Sequence, residues 1–200
     1  MDVFVLFSGG KDSSLSAILL EPFFDVTLVT CTFGFAETWG AAERVASELG
    51  FPHSVMQIDE TVLEAAYEMA ISDGYPNRAI NHIHTCALEC AASGHAVIAD
   101  GTRRDDRVPM LKLPDVQRLE DTRKCAYIRP LLGYGRRAVD ALVNVHLKIE
   151  ENESEKIEKS DYEVELRAII KERHGHEMVH TIFPGRHIQS RVIGRRSLGV

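Results

Sequence analysis

The chain has 200 residues, 44% hydrophobic and 26% charged, a length and composition that support one sizeable domain with a buried core. No apolar run approaches the roughly 18 residues a membrane span requires, and the N-terminus carries no basic signal-type region, so a membrane protein is excluded and a cytoplasmic location is expected. A net charge of -7 argues against a general nucleic-acid binder, and four cysteines are too few for a disulfide scaffold.

Val3 to Phe7 is a short apolar run of strand type, followed by a helix that places Leu15, Ile18 and Leu19 on one face. "DVTLVTCTF" (25–33) predicts a second strand. A helix from about Glu37 to Leu49 follows, stopped by Gly50 and Pro52. "SVMQI" (54–58) predicts a third strand and "ETVLEAAYEMAIS" (60–72) a third helix. After a loop at "DGYPNRAIN", "HIHTCALECAAS" predicts a helix closed by Gly94. "HAVIADGT" (95–102) predicts a fourth strand, "CAYIRPL" a fifth, and "YGRRAVDALVNVHLKI" another helix. "EENESEKIEKSD" is a charged linker. Tyr162, Leu166, Ile169 and Ile170 form the stripe of a last helix, and "EMVHTIFPGRHIQSRVIG" predicts a β-like extension turned at Pro184-Gly185.

Strands alternate with helices, so the expected architecture is α/β: an open, mostly parallel Rossmann-like sheet with helices on both faces, plus a small C-terminal α/β extension. The composition shift near Glu150 divides the chain into residues 1–149 and residues 150–200.

Between the first strand and the first helix stands Ser8-Gly9-Gly10-Lys11-Asp12-Ser13. The Walker pattern fails because Asp12 follows Gly10-Lys11, and the dinucleotide fingerprint G-x-G-x-x-G also fails. What remains is a glycine turn that aims free backbone N–H groups at a helix N-terminus, where the dipole favours an anion. Ser8, Ser13 and Ser14 add hydroxyl donors and Lys11 adds charge. Asp12 beside phosphates makes sense as a Mg²⁺ ligand.

This hexapeptide resembles the PP-loop, S-G-G-x-D-S, of the ATP pyrophosphatases, adenine nucleotide α-hydrolase-like proteins with a HUP-type sheet. The resemblance covers roughly residues 1–140. It implies that residues 1–149 bind the nucleotide, that the loop holds the β,γ-pyrophosphate of ATP with Mg²⁺, and that Lys11, Asp12 and Ser13 serve catalysis. "IADGTRRDD" (98–106) is similar to the family's second motif, so Gly101 and Thr102 are expected near the nucleotide. Asp106, or alternatively Asp105, is expected to complete the metal site with Asp12. The family's adenine site falls at the end of the second strand, here Thr32, Phe33 and Gly34, although an aromatic there is commonly core. "IRPLLGYGRRAV" resembles the R-P-L-L segment of the tRNA-lysidine and tRNA-2-thiocytidine synthetase branch, which brings Arg129 toward a phosphate.

Cys86 and Cys90 share a helix face at i, i+4, where 2-thiolating relatives carry C-x-x-C. The expected role is that of half-buried small residues. Redox chemistry, or an iron–sulfur cluster with Cys125 or Cys31 as third thiolate, are the alternatives, although no ferredoxin-like spacing is present. His82 and His84 read as polar surface or capping groups, with a metal site shared with Cys86 as the alternative. Arg186, Arg191, Arg195 and Arg196 form a basic strip for either RNA or a second subunit, the latter making a homodimer through the C-terminal extension.

The resemblance therefore implies adenylation of a substrate oxygen with release of pyrophosphate, with a tRNA base as the substrate. Alternatives are a small-molecule amide ligase of the NAD-synthetase or GMP-synthetase kind, and a non-catalytic adenine-nucleotide binder.

Overall fold

In the computed structural model, residues 1–35, 38–153, 160–183 and 188–196 are described. Five parallel strands form the sheet: β1 (Asp2–Leu6), β2 (Asp25–Thr32), β3 (His53–Gln57), β4 (Val97–Ala99) and β5 (Ala126–Ile128), in the order β3-β2-β1-β4-β5. The helices are α1 (Lys11–Leu20), α2 (Gly40–Leu49), α3 (Glu60–Asp73), α4 (Asn77–Ala91), α5 (Leu113–Arg123), α6 (Arg136–His146) and α7 (Tyr162–Ile182). Strands β6 (Leu147–Glu153) and β7 (Ile188–Arg195) make an antiparallel pair. The expected Rossmann-like α/β sheet with a small C-terminal addition is what the chain forms.

The two-residue period of the strands sorts the core onto two faces. Val3, Val5 and Phe7 pack with Leu15 of α1, Val45 of α2 and Val139 of α6, while Leu6 and Ile98 pack with Ile83 and Leu88 of α4 and Leu166 and Ile170 of α7. Val5 lies between Leu28 of β2 and Ala99 of β4, at the sheet's centre. The strand order reverses at β1, and the crevice beyond the carboxyl ends of β1 and β4 is where such sheets receive ligands.

Local signals set several boundaries. Gly50 ends α2 in the left-handed region at φ 71°, and Asp59 caps α3 by accepting from the Thr61 N–H at 2.8 Å. Helix α2 begins at Gly40, and Ala36 and Glu37, where its start was expected, lie outside the described residues. Helix α4 starts at Asn77, inside the expected loop, because Ala79, Ile83, Ala87 and Ala91 bury one face.

Three expectations are corrected. Helix α5 carries too weak a stripe to announce itself, with only Val116 and Leu119 buried. The helix expected to reach Ile149 ends at His146, where Leu147 turns extended at φ -122° and ψ 148°. The spacing Val139, Val143, Leu147 continues a helical stripe, yet Leu147 and Ile149 also alternate as a strand. The start of the charged linker, Glu150 to Glu153, accordingly belongs to β6, so position 149/150 falls within a strand; residues 154–159 lie outside the described ones. Residues 177–182, expected as β-like, continue α7, because Val179 and Ile182 extend the buried stripe past a break at Gly175 (φ 80°). The Pro184-Gly185 turn lies outside the described residues.

Leu166 has no exposed surface and joins α7 to the core beneath β2 and α4. Leu166→Ala is expected to cost about 2–5 kcal/mol in urea unfolding. A loss under about 0.5 kcal/mol would show that α7 is not part of the core.

Candidate functional site

The β1–α1 turn departs from Phe7, whose N–H donates to the Val29 carbonyl at 2.8 Å. Gly9 takes a left-handed φ of 76°, and a Cβ there would stand 3.3 Å from the Ala42 Cα, so the turn needs glycine twice over. Gly10 is the N-cap of α1 and no side chain caps the first N–H groups. The Ser13 hydroxyl turns back to donate to the Gly10 carbonyl at 3.2 Å. The Gly10 N–H itself donates to Ser8 Oγ at 3.4 Å, and the positive end of α1 is left without a side-chain cap.

The loop after β4 is pressed onto this turn. A Cβ on Gly101 would lie 2.7 Å from the Ser13 nitrogen and 2.9 Å from the Asp12 carbonyl carbon, both backbone atoms. The two glycine motifs, 90 residues apart in sequence, therefore meet at the switch point of the sheet.

Asp12 Oδ1 is buried without a hydrogen-bond partner, and Oδ2 is 3.5 Å from Arg103 Nε. Burial raises the Asp12 carboxyl above its ordinary range, against the pull of Arg103 and Lys11 and with added repulsion from Asp106 and Asp140. Lys11 Nζ is engaged by Asp140 of α6. Arg103 also holds Asp106: its Nη2 lies 2.6 Å from Oδ1 and its N–H donates to Oδ2 at 2.8 Å. Asp12 thus offers a cation an unclaimed oxygen, whereas both Asp106 oxygens are engaged by Arg103. Asp105 accepts from the Arg136 N–H at 2.9 Å.

A cavity of about 450 Å³ opens from this point. Ser8, Asp12 and Ser13 stand at one end, with Asp100, Thr102 and Asp106 along the β4 side. Ile80 and His84 of α4 and Val29 and Cys31 of β2 line it further, and Ser160 to Glu163, leading into α7, complete the wall. The size suits a small organic ligand.

Part of this lining is a polar cluster. Asp100, 2% exposed, accepts the Thr102 N–H at 2.9 Å, the Thr102 hydroxyl at 2.7 Å and the Tyr127 hydroxyl at 2.5 Å. His84 Nε2 lies 2.8 Å from the same carboxylate. Burial alone would raise Asp100, but the bond and charge of His84, with the Tyr127 and Thr102 hydroxyls, bring it below the ordinary carboxylate range. Burial, then the Asp100 charge, pushes the Tyr127 hydroxyl up. His84 is a correction: expected at the surface, it is 4% exposed, because its ring reaches Asp100 instead of Cys86 or solvent.

The residues expected to flank the base stand apart from the cavity. Phe33 is 1% exposed and belongs to the core, and neither it nor Thr32 lines the cavity. Both are tied to Glu165 of α7, which accepts from the Phe33 and Phe35 N–H groups at 3.1 Å and from the Thr32 hydroxyl at 3.1 Å. Ser14 is fully buried with no partner for its hydroxyl. Arg129 donates to the Leu111 carbonyl at 3.1 Å and covers the Tyr127 ring, away from the cavity lining.

The cysteines are unpaired. Burial, aided by Cys90, pushes the Cys31 thiol up to about 12, and burial likewise raises Cys86 and Cys125. Among the described residues, no three His, Cys, Asp or Glu side chains gather as a metal-binding set. In the arginine strip, Arg195 grips Glu21 at 2.6 Å and the Leu49 carbonyl at 2.6 Å, and Arg196 donates to the Leu147 carbonyl at 2.9 Å. Arg191 pairs by its backbone with Glu150 and bridges to Gly10, while Arg186 lies outside the described residues. Sequence reasoning missed Asp100, Arg103, Tyr127, Asp140 and Glu165 as parts of the site; only Asp100, inside "ADGT", carried a signal, by standing at the end of a strand beside the expected loop.

A five-stranded parallel sheet with its cavity at the switch point defines a Rossmann-like α/β protein. The chain belongs to the family of unknown function DUF7411, which matches residues 1–194. It is 44% identical over 195 residues to the uncharacterized protein MJ0690 of Methanocaldococcus jannaschii, covering 97% of this chain and 96% of that one. A crystal structure described as a predicted subunit of tRNA methyltransferase from the same organism superposes with a TM-score of 0.90 at 42% identity, covering 98% of each chain. More distantly, the chain is 28% identical over 184 residues to the tRNA-specific 2-thiouridylase MnmA of Syntrophomonas wolfei, matching 78% of this chain but only 54% of that longer protein. No described helix is long and apolar enough to cross a membrane.

Two predictions test the geometry. Gly101→Ala is expected to lower stability by about 1–3 kcal/mol in urea unfolding, because its methyl group meets rigid backbone at Ser13; unchanged stability would contradict the contact. Because the folded-state pKa of Asp100 is depressed, its stabilisation is present above the unfolded value and lost as pH falls below about 4. Asp100→Asn is therefore expected to be less stable near neutrality but to lose stability less steeply with acid, measured by melts across pH.

Proposed function

We propose that this protein is an ATP pyrophosphatase of the PP-loop type, which binds ATP with Mg²⁺ and adenylates a substrate oxygen with release of pyrophosphate. The observation that carries this reading is the meeting of the uncapped α1 turn with Gly101, which leaves backbone donors facing a cavity of suitable size. The substrate class we assign is a tRNA base, supported by the thiouridylase likeness and the predicted methyltransferase-subunit relative. The cytoplasm is the corresponding location.

The chain's own groups fit this chemistry. Backbone N–H groups of the first α1 turn would hold the β,γ-phosphates, with the Ser8 and Ser13 hydroxyls beside them. Asp12, through its unpartnered Oδ1, would hold Mg²⁺. Bound there, the metal supplies charge neutralisation for the departing pyrophosphate. Lys11 and Arg103, held by Asp140 and Asp106, stand as further cations whose carboxylate partners can release them to phosphate. Thr102 and Gly101 form the floor opposite the turn.

Asp12→Asn is expected to preserve the fold and lower Mg²⁺-dependent pyrophosphate release by about 100-fold or more, with ATP affinity reduced less. Release is measured with ATP, Mg²⁺ and unfractionated tRNA. Wild-type release by the variant would contradict the assignment.

A further inference from the structure

We propose that His84 is the general base of the reaction's second step, removing a proton from an N–H or S–H nucleophile as it displaces AMP from the adenylated substrate. The proposal rests on the adenylation reading above. Asp100 already receives three donors: the Thr102 N–H, the Thr102 hydroxyl and the Tyr127 hydroxyl. A carboxylate so surrounded is an ionised acceptor, which places the proton of His84 on Nε2, 2.8 Å away. The lone pair is then on Nδ1.

That Nδ1 is buried and has no partner. A histidine retained only to tie α4 to β4 would need one nitrogen, and a buried polar atom without a partner calls for an explanation. His84 lines the same cavity as Asp12 and Ser13, so its unclaimed acceptor and the phosphate end of the site share one compartment. Ile80, one turn earlier on α4, and Tyr162, whose ring centroid is 6.0 Å from that of His84, stand beside it. Nδ1 is thus a buried acceptor beside the cavity that Ile80 and Tyr162 also line.

Three of the protein's thiols, Cys31, Cys86 and Cys125, do not supply the nucleophile in ionised form. Cys31, in the same wall, is held protonated by burial, and Cys86 and Cys125 are shifted the same way. The nucleophile this proposal takes is one that carries its proton to the site: ammonia, an amine or a sulfur donor. In the step, the nucleophile's N or S bonds to the carbon bearing the AMP oxygen, and that carbon–oxygen bond breaks. AMP leaves with the electron pair, and the proton passes to Nδ1. Asp100 stabilises the imidazolium and fixes the tautomer that accepts.

The test separates the two half-reactions. With unfractionated tRNA as acceptor, ATP–pyrophosphate exchange reads adenylation; adding ammonium or sulfide reads complete turnover. His84→Gln is expected to retain exchange and to lose about 100-fold or more in turnover. Asp100→Asn, which reverses the tautomer, is expected to lower turnover by at least about tenfold more than it lowers exchange. Turnover within about threefold of wild type would overturn the proposal, as would a parallel loss of exchange and turnover. Absence of exchange in the wild type would overturn the adenylation reading itself, and this proposal with it. Independently of activity, long-range proton–nitrogen spectra of ¹⁵N-histidine-labelled protein should show His84 protonated on Nε2 and bare on Nδ1; the reverse tautomer would overturn the assignment even if neither variant folds.

Discussion

A single buried carboxylate organises the site. Asp100 sits just past β4, the shortest kind of strand in this sheet, and gathers donors from α4, from β5 and from its own loop. A lone ionised group there would be expensive, so its donors must be in place whenever the chain is folded. Their arrangement dictates where the next residue lies. Gly101 is thereby set against the backbone of Asp12 and Ser13, and the two glycine turns are held as one surface. Asp12 and Ser13, at the uncapped end of α1, then line the cavity.

The C-terminal third of the chain is part of this construction. Residues 160–163 form one wall of the cavity, and Glu165, on the next turn of α7, collects the backbone N–H groups of Phe33 and Phe35. The end of β2 is thus shaped from a helix more than 130 residues away. Strand β7 touches the other side of the loop through the bridge between Arg191 and Gly10, and Arg195 anchors the hairpin to Glu21 and Leu49. Arg195 and Arg196 thus serve the fold of their own chain through their side chains.

Much of this was legible in the sequence where local physics decides. Strand period, helix stripe and glycine stops announced the sheet, and the serine-glycine-glycine stretch announced the tight turn that opens α1 without any tertiary information. What could not be read depends on partners distant in sequence. His84 looked like a surface residue because nothing within helix spacing explains its burial; its partner Asp100 lies 16 residues further on, across a strand. Phe33 stood where an aromatic could flank a base, and only the packing of α7 shows it to be core. Asp106, expected beside Asp12 in a metal site, has both oxygens engaged by Arg103, a pairing that no sequence pattern announces. At Leu147 a helical and a strand pattern coincided, and pairing with β7 decided between them.

The central claim is that the turn from Ser8 to Ser13, backed by Gly101, receives the terminal phosphates of ATP. A crystal structure of the full chain grown with Mg²⁺ and a non-hydrolysable ATP analogue tests it most directly. The account predicts the β,γ-phosphates against the first backbone N–H groups of α1, with the metal on Asp12 Oδ1. A nucleotide bound away from this turn, with Asp12 uncoordinated, would contradict it.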